Sequence, residues 1–184
     1  AGVTLSNVRI NDGDNTEFVS PGSIFSLSMD YSIVDPGCPN CIDEIEIGFS
    51  TDSAPLTCIY TGIPGVEGVS GSATIEVTAP TTPGIYYLGF DRAQHYSCGE
   101  ALAAGWWNGA PDSSRYIASV VIATQVVTSA ADTDDGYCNV DGCTLREAIN
   151  AANINEGLDV VVFNIPSEGV STISPTSPFA AITD

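Results

Sequence analysis

Apolar and polar residues alternate along most of the first two thirds of the chain. The clearest case is residues 25–33, where serine and aspartate separate five apolar side chains. Successive side chains of a β-strand point to opposite faces of its sheet. The alternation therefore predicts a strand with one face in a core and the other in water.

About seven strands are predicted before residue 124, and turns rich in Gly, Pro, Asp and Ser separate them. They cover residues 3–10, 25–33, 44–49, 57–60, 72–77, 85–90 and 115–122. No helical period appears in this part of the chain. Short strands with frequent turn signals predict an antiparallel β-sandwich. In the third segment, the pattern places Glu44 and Glu46 on the solvated face of the strand.

A different period begins at Thr144. Thr144 and Glu147 have the spacing of a capping box, and an apolar stripe follows at helical spacing (Leu145, Ala148, Ile149 and Ala152). Gly157 lies where a helix would end. We predict one short helix over about residues 144–154, which covers a strand at Leu158–Ile165.

Around this helix the sequence resembles a known segment. Residues 127–138 read VTSAADTDDGYC, residues 141–150 read DGCTLREAIN and residues 162–165 read VFNI. They resemble the Cys-Ser-Leu-Arg-Glu-Ala-Ile (CSLREAI) segment of bacterial secreted proteins, with Thr144 in place of the usual serine. In that family the segment caps the N-terminal end of a right-handed parallel β-helix. The resemblance implies a cap domain over residues 125–184 and the beginning of a β-helix.

The first part of the chain carries a second resemblance. Ser20-Pro21-Gly22 precedes the second predicted strand, and Thr82-Pro83-Gly84 precedes the sixth, which contains Tyr86-Tyr87. These motifs are similar to those of bacterial surface immunoglobulin-like modules. They imply an immunoglobulin-like β-sandwich over residues 1–124, with a domain boundary near residues 123–128.

Charge narrows the classes of partner. The chain has 23 acidic residues, four arginines and no lysine, and its net charge is −19. Such a charge excludes nucleic acid and anionic membrane surfaces as partners. No stretch of 18 apolar residues occurs, so we expect no membrane insertion.

Six cysteines in a chain rich in Gly, Ser, Thr and Pro indicate disulfides and an oxidising compartment. We therefore expect a secreted protein, extracellular or at the cell surface. Cys138 and Cys143 flank a tight turn and are expected to bond to each other.

The other four cysteines allow three pairings. We favour a bond from Cys38 or Cys41 to Cys98, because the loops that carry them would lie at the same end of a sandwich; Cys58 would take the remaining partner. The alternative is zinc, since Cys38-x-x-Cys41 and His95-x-x-Cys98 have the spacing of zinc ligands.

A long connection at residues 91–112 holds both tryptophans and the only histidine. Loops of this length are usually functional or held by their own contacts. Trp106, Trp107, Asn108 and His95 are therefore candidate binding residues for a glycan or a protein. The alternative is that the tryptophans fill the end of the sandwich.

Two acidic stretches place oxygen ligands at alternating positions, as calcium loops do. The candidate calcium ligands are Asp12, Asp14, Glu17, Asp132 and Asp134. Neither stretch has the full twelve-residue pattern, and solvated turns are the alternative. No other cofactor is expected.

Catalysis finds little support in the sequence. One histidine, no lysine and no nucleophile motif leave only an unspecific abundance of carboxylates. We predict a non-enzymatic structural protein that assembles head-to-tail with copies of itself into a filament or surface layer. The alternative is an adhesin-type module that binds glycan or protein through the Trp106-Trp107 loop.

The assembly prediction rests on the cap. In the CSLREAI family many coils follow the cap, whereas this chain stops at Ala181–Asp184, about where those coils would begin. An open coil leaves unpaired backbone groups and an apolar cross-section. Another subunit would cover this end in an assembly; the alternatives are that the chain's own sandwich folds back on it or that further residues follow. The expected assembly surface comprises Val160, Val162, Ile173, Phe179 and Ile182.

Overall fold

The computed structural model describes residues 2–139 and 142–183. It divides the chain into two compact units. The first unit contains the residues up to Ala79 and Ile85–Val121, and the second contains Pro80–Gly84 and the residues from Ile122 onward. The grouping of residues 80–84 with the second unit was not predicted from the sequence.

The chain is mainly β-structure. Eight strands precede residue 123: β1 (Gly2–Ile10), β2 (Thr16–Val19), β3 (Ile24–Val34), β4 (Asp43–Phe49), β5 (Thr57–Gly62), β6 (Val69–Thr78), β7 (Gly84–Ala93) and β8 (Tyr116–Ile122). They form a three-stranded sheet of order β1-β3-β6 and a five-stranded sheet of order β2-β8-β7-β4-β5. Strand β3 pairs antiparallel with both β1 and β6, and β4 pairs antiparallel with both β5 and β7.

The alternation in the sequence locates the core of the first unit. Phe25, Leu27 and Met29 of β3 are buried, as are Ile45 and Ile47 of β4. All seven predicted strands form. Strand β2 and a helix, α1 (Cys98–Ala104), were missed because each is too short to show a period.

Strand β4 contradicts the prediction for its second face. All seven of its residues are buried, including Glu44 and Glu46, which were expected in water. The reason is that the connection between β7 and β8, which belongs to the same unit, covers this face.

The second unit contains β9 (Gln125–Val127), α2 (Leu145–Ala152) and β10 (Val161–Phe163). Strands β9 and β10 form a two-stranded parallel sheet, which pairs Val162 with Val126. The predicted strand at residues 158–165 is shorter than expected, and β9 was not predicted. The core of this unit comprises Val127, Cys143 and Ala148, with Cys138, Leu145, Val161, Ile165 and Ile173 packed against it.

Helix α2 begins as the sequence predicts. The Thr144 hydroxyl accepts a hydrogen bond from the Glu147 N–H, and the Glu147 carboxylate accepts one from the Thr144 N–H at 2.8 Å. A second N–H, from Asp135, bonds to the same carboxylate at 2.9 Å. Burial of Glu147 acts to raise its pKa. These hydrogen bonds to the carboxylate outweigh burial, so the pKa of Glu147 is lowered. Neither helix in residues 2–139 and 142–183 is long and apolar enough to span a bilayer.

Candidate functional site

One face of the five-stranded sheet carries buried carboxylates. Across the β4–β7 pair, Glu46 lies opposite Asp91, and Gly48 lies opposite Gly89. With Glu44 they point away from Ile45 and Ile47, because side chains alternate along a strand. We call Glu44, Glu46, Gly48, Gly89 and Asp91 the covered face.

The connection between β7 and β8 lies directly on this face, and we call its residues 94–115 the lid. The two glycines make the close approach of the lid to the sheet feasible. A Cβ atom at Gly48 would lie 3.0 Å from Cζ2 of Trp106, and one at Gly89 would lie 2.5 Å from Cβ of Pro111. Such distances leave no room for a side chain at either glycine.

Polar contacts hold the lid in place. Asn108 donates its backbone N–H and its side-chain amide to the Asp91 carboxylate, at 2.7 and 2.8 Å. The Arg115 guanidinium lies 3.0 Å from the same carboxylate. The Trp106 indole N–H donates to the backbone oxygen of Asp52 at 2.9 Å. Asp91 is thus the anchor for both ends of the lid segment 108–115.

A disulfide also fastens the lid, and it is not the one we expected. Cys58 of β5 bonds to Cys98, the first residue of α1, and Cys38 bonds to Cys41. The favoured bond from Cys38 or Cys41 to Cys98 is therefore wrong. Cys41 lies only three positions from Cys38, and a local turn brings them together: the Cys41 N–H donates to the Cys38 oxygen.

The second unit holds the third disulfide, Cys138–Cys143, which is the pairing expected from the sequence. The two central residues of the predicted turn between them, Val140 and Asp141, lie outside the described residues. All six cysteines are thus oxidised, so none supplies the thiolate that the zinc alternative requires. Three disulfides indicate an oxidising environment.

The two glutamates beneath the lid have incomplete hydrogen bonding. Oε2 of Glu44 accepts the backbone N–H of His95 at 2.9 Å, while its Oε1 has no partner in the described part of the chain. Neither oxygen of Glu46 meets hydrogen-bond geometry, although the backbone N–H of Trp107 faces it and acts to lower its pKa. Both side chains are completely buried.

Burial decides how these carboxyls ionise. Burial, together with the nearby Asp91 carboxylate, raises the pKa of Glu46 to about 7. The pKa of Glu44 is also raised, mainly by burial, although the His95 N–H opposes the shift. A carboxyl group with a pKa near 7 changes charge close to neutral pH.

A separate ion-pair cluster lies at the start of β4. The Arg92 guanidinium donates to Oδ2 of Asp35 at 2.6 Å and to Oδ1 of Asp43. Both carboxylates are buried. Burial of Asp35 acts to raise its pKa. The hydrogen bond from the Cys38 N–H and the charge of Arg92 outweigh burial, so the pKa of Asp35 is lowered. One arginine thus pairs with two buried acids.

The predicted binding residues divide into buried and exposed ones. Trp106 is 9% exposed and packs on the sheet, so it fills space as the alternative reading held, whereas Trp107 is 49% exposed. The Trp107 ring meets the His95 ring edge-on at 5.0 Å between centroids. Asn108 is occupied with Asp91. Sequence reasoning missed Tyr96, which is highly exposed.

A cavity of about 340 Å³ lies beside the exposed part of the lid. Its lining residues are Asn40, Cys41, Ile42, Gln94, His95 and Tyr96. The Nε2 atom of His95 is buried without a hydrogen-bond partner among the described residues. The cavity therefore offers amide, imidazole and phenol groups next to the exposed ring of Trp107.

The calcium candidates are not gathered into a site. Asp132 pairs with Arg146 at 2.9 Å and accepts the N–H and hydroxyl of Thr176, both at 2.7 Å. Asp134 accepts the side-chain amide of Asn150 at 3.0 Å. Asp12, Asp14 and Glu17 belong to the segment joining β1 to β2 and the start of β2. In residues 2–139 and 142–183, no three Asp, Glu, His or Cys side chains have an arrangement that could hold a metal ion.

The expected assembly residues of the second unit differ in exposure. Val160 and Val162 are half-buried, Ile173 packs against the core, and Ile182 is exposed. Arg146 lies over the Phe179 ring at 5.0 Å.

Further apolar residues of this unit are exposed: Ile154, Leu158, Phe163 and Val170. Leu158 and Ile182 line a groove of about 300 Å³ beside α2, together with Ile149, Ala152 and Val161. The second unit therefore exposes several apolar side chains, two of which share a groove.

No protein-family model, curated protein or solved structure matches this chain. The covered face has no accessible reacting group, whereas the second unit presents apolar surface and the lid presents aromatic rings. Both accessible features have the chemistry of binding surfaces.

Proposed function

We propose that the chain is a non-enzymatic extracellular structural protein that assembles head-to-tail with copies of itself. The observation that carries this proposal is the apolar surface of the second unit, which includes Leu158, Phe163 and Ile182. Exposed apolar side chains that share a groove, on a protein of such high charge, mark a contact site. Because Leu158 and Ile182 line one groove, the surface can seat an apolar segment of a partner.

The parallel strand pair suggests how the contact forms. Within residues 2–139 and 142–183, strands β9 and β10 pair only with each other, and each contributes three residues to the ladder. Two-stranded sheets are marginal alone, and parallel sheets are normally buried on both faces. A strand from another copy that extends this sheet would complete it. Contact between two different surfaces propagates into a filament or layer.

Strand order supports an extracellular surface module. The orders β1-β3-β6 and β2-β8-β7-β4-β5 fit an immunoglobulin-like sandwich, in agreement with the resemblance of Ser20–Gly22 and Thr82–Tyr87. The capped helix α2 beside a parallel pair fits the beginning of a β-helix, as the CSLREAI resemblance implies. Together with three disulfides, this architecture favours secretion to the cell surface or beyond it.

Charge sets the conditions for assembly. The net charge is −19, and three of the four arginines already pair with acids of their own chain: Arg92, Arg115 and Arg146. Copies of the protein therefore repel one another at long range. Salt shortens the range of this repulsion, to about 8 Å at physiological ionic strength. We expect assembly to strengthen as the salt concentration rises.

Substitution on the apolar surface should separate assembled copies. Leu158→Asp and Phe163→Asp place a charge where apolar contact is proposed, and burying an unpaired carboxylate is strongly unfavourable. We expect at least a tenfold weaker association, equivalent to about 1.4 kcal/mol or more. Sedimentation velocity at high salt measures this change.

Ile24 of the first unit provides a matched control. It is 67% exposed and Leu158 is 66% exposed, so Ile24→Asp alters surface hydrophobicity equally. Ile24→Asp should leave association unchanged. Equal losses of association in the Ile24 and Leu158 variants would show that the added charge alone causes the effect. Such a result would contradict a contact through the second unit.

The lid supports a second candidate function, that of an adhesin-type binding module. The supporting observation is the exposed pair Tyr96 and Trp107 beside the 340 Å³ cavity. Aromatic rings stack on sugars, while Gln94 and Asn40 offer amides to hydroxyl groups.

Glycan-array binding tests this second function. Trp107→Ala and Tyr96→Ala should abolish binding, because they remove the exposed rings. Tyr137→Ala, an exposed tyrosine of the second unit, is the control and should retain it. An array on which the wild-type protein binds no glycan would count against this function and leave the assembly proposal intact.

A further inference from the structure

Glu46 is an unusual residue for the centre of a sheet. It is completely buried, its oxygens have no full hydrogen bond within the described residues, and it lies opposite a second carboxylate, Asp91. An ionised carboxyl in this position lacks both water and a cation. A neutral carboxyl avoids most of that penalty.

We propose that the lid is a pH-responsive cover, which closes tightly over the covered face in acid and loosens towards neutral pH as Glu46 ionises. The proposal concerns the first unit and goes beyond assembly through the second.

The charged groups around Glu46 favour this behaviour. From β7, the Asp91 carboxylate faces it; Asp91 pairs with the Arg115 guanidinium and accepts hydrogen bonds from Asn108. From the same strand, Glu44 adds a further acid. From β5, its cross-strand neighbour is Cys58, which is bonded to Cys98 and carries no charge. No cation pairs directly with Glu46 among the described residues.

Three neighbouring groups also influence the ionisation of Glu44, the second acid of the covered face. Asp43 and Glu100 disfavour its ionisation, while His95 favours it. The Arg92 guanidinium is committed to Asp35 and Asp43. Arg92 is thus not available to neutralise a second charge on the covered face.

The backbone of the lid identifies the part that can move. The disulfide to Cys58 holds α1 at its first residue, Cys98. Beyond the helix, Gly105 and Gly109 have φ angles of +81° and +80°, which favour glycine and allow large backbone changes. The segment from Trp106 to Asn108 lies between these two glycines and contacts the sheet. We assign the opening motion to residues 105–109.

The direction of the pH effect follows from linkage. The pKa of Glu46 is about 7 with the lid closed, and it returns towards its ordinary value of 4.5 when the lid admits water. Opening therefore releases a proton between these two values. Below about pH 4.5 the closed lid has its full stability from this group, and the opening equilibrium constant rises about tenfold per pH unit up to pH 7. Above pH 7 it levels off.

Hydrogen exchange of the lid amides tests the proposal. The Asn108 N–H is protected by its bond to Asp91. After correction for intrinsic exchange, its protection should fall by about two orders of magnitude between pH 4.5 and 7. In Glu46→Gln it should stay level, because the amide does not ionise. Glu67→Gln, at an exposed position, should behave as wild type.

Tryptophan fluorescence gives an independent readout, since both tryptophans of the chain lie in the lid. The emission of Trp106 should shift to longer wavelength as pH rises towards 7, in wild type but not in Glu46→Gln. If Glu46→Gln fails to fold, Glu46→Leu supplies a neutral apolar side chain for the same comparison. Protection and emission that are independent of pH in the wild type, or equally pH-dependent in the folded Glu46 variant, overturn the proposal.

Discussion

Replacement of Arg92 by methionine is expected to lower the free energy of unfolding of the first unit by about 3–5 kcal/mol at pH 7. The substitution keeps an apolar stem but leaves the buried Asp35 and Asp43 carboxylates without a counter-charge. Removing one partner of a buried ion pair exposes the full desolvation penalty of the other. Urea unfolding followed by circular dichroism measures the difference.

Arg9→Met is the matched control for this variant. Arg9 is exposed, and its guanidinium contacts only the backbone oxygen of Asp12 among the bonds of the described residues. We expect a change below about 0.5 kcal/mol. The Arg92 effect should also shrink as the pH falls, because the lowered pKa of Asp35 means that its ionised form stabilises the fold and is lost in acid. Similar losses of unfolding free energy in the two variants would contradict a stabilising role for the ion pairs of Arg92.

The second large effect is expected from the Cys58–Cys98 disulfide. Its cysteines are 40 positions apart, and closing a loop of that length reduces the entropy of the unfolded chain by an amount worth about 4 kcal/mol. The bond also fastens α1 to β5. The double variant Cys58→Ser, Cys98→Ser should therefore lose about 4 kcal/mol of stability, and the lid amides should exchange faster at every pH.

The Cys38–Cys41 bond serves as its control. It closes a loop of only three positions, for which the same relation gives about 2 kcal/mol. The Cys38→Ser, Cys41→Ser variant should be the more stable of the two, with little change in lid exchange. The reverse order of stabilities contradicts the assignment of the lid fastening to Cys58–Cys98.

The strands of the first unit follow from the sequence because alternation reports directly which side chains share a face. Residues 25–33 show this well, since four of their five apolar residues (Phe25, Leu27, Met29 and Ile33) are buried and Tyr31 is partly buried. Alternation does not report what covers the opposite face. Glu44 and Glu46 were placed in water for that reason, although a segment about 50 positions later covers them. The usable signal was Gly48 and Gly89, two small residues at interior strand positions.

Disulfide pairing shows a second limit of sequence reasoning. The expected bond to Cys98 assumed that loops at one end of a sandwich meet. Helix α1 instead turns the chain so that Cys98 lies against β5. Seven residues with one buried alanine carry no readable period, so the helix could not be anticipated.

The second unit was more readable because capping chemistry is local. Thr144 and Glu147 lie three positions apart and bond as their spacing predicts. The partner of Arg146, Asp132, lies 14 positions away and was read instead as a calcium ligand. Strand β9 exists only through pairing with β10, so its three residues show no pattern of their own. The helix of the second unit could therefore be predicted from the sequence, whereas its ion pair and the exposure of its apolar residues became visible only in the structure.

Assembly through the second unit can be measured by sedimentation velocity across protein concentration, with the wild-type chain compared with Leu158→Asp at low and high salt. We expect wild-type boundaries that move to larger sedimentation coefficients as concentration and salt rise, and a Leu158→Asp variant that remains monomeric. A wild-type protein that sediments as a monomer at every concentration and salt condition would contradict assembly through the second unit.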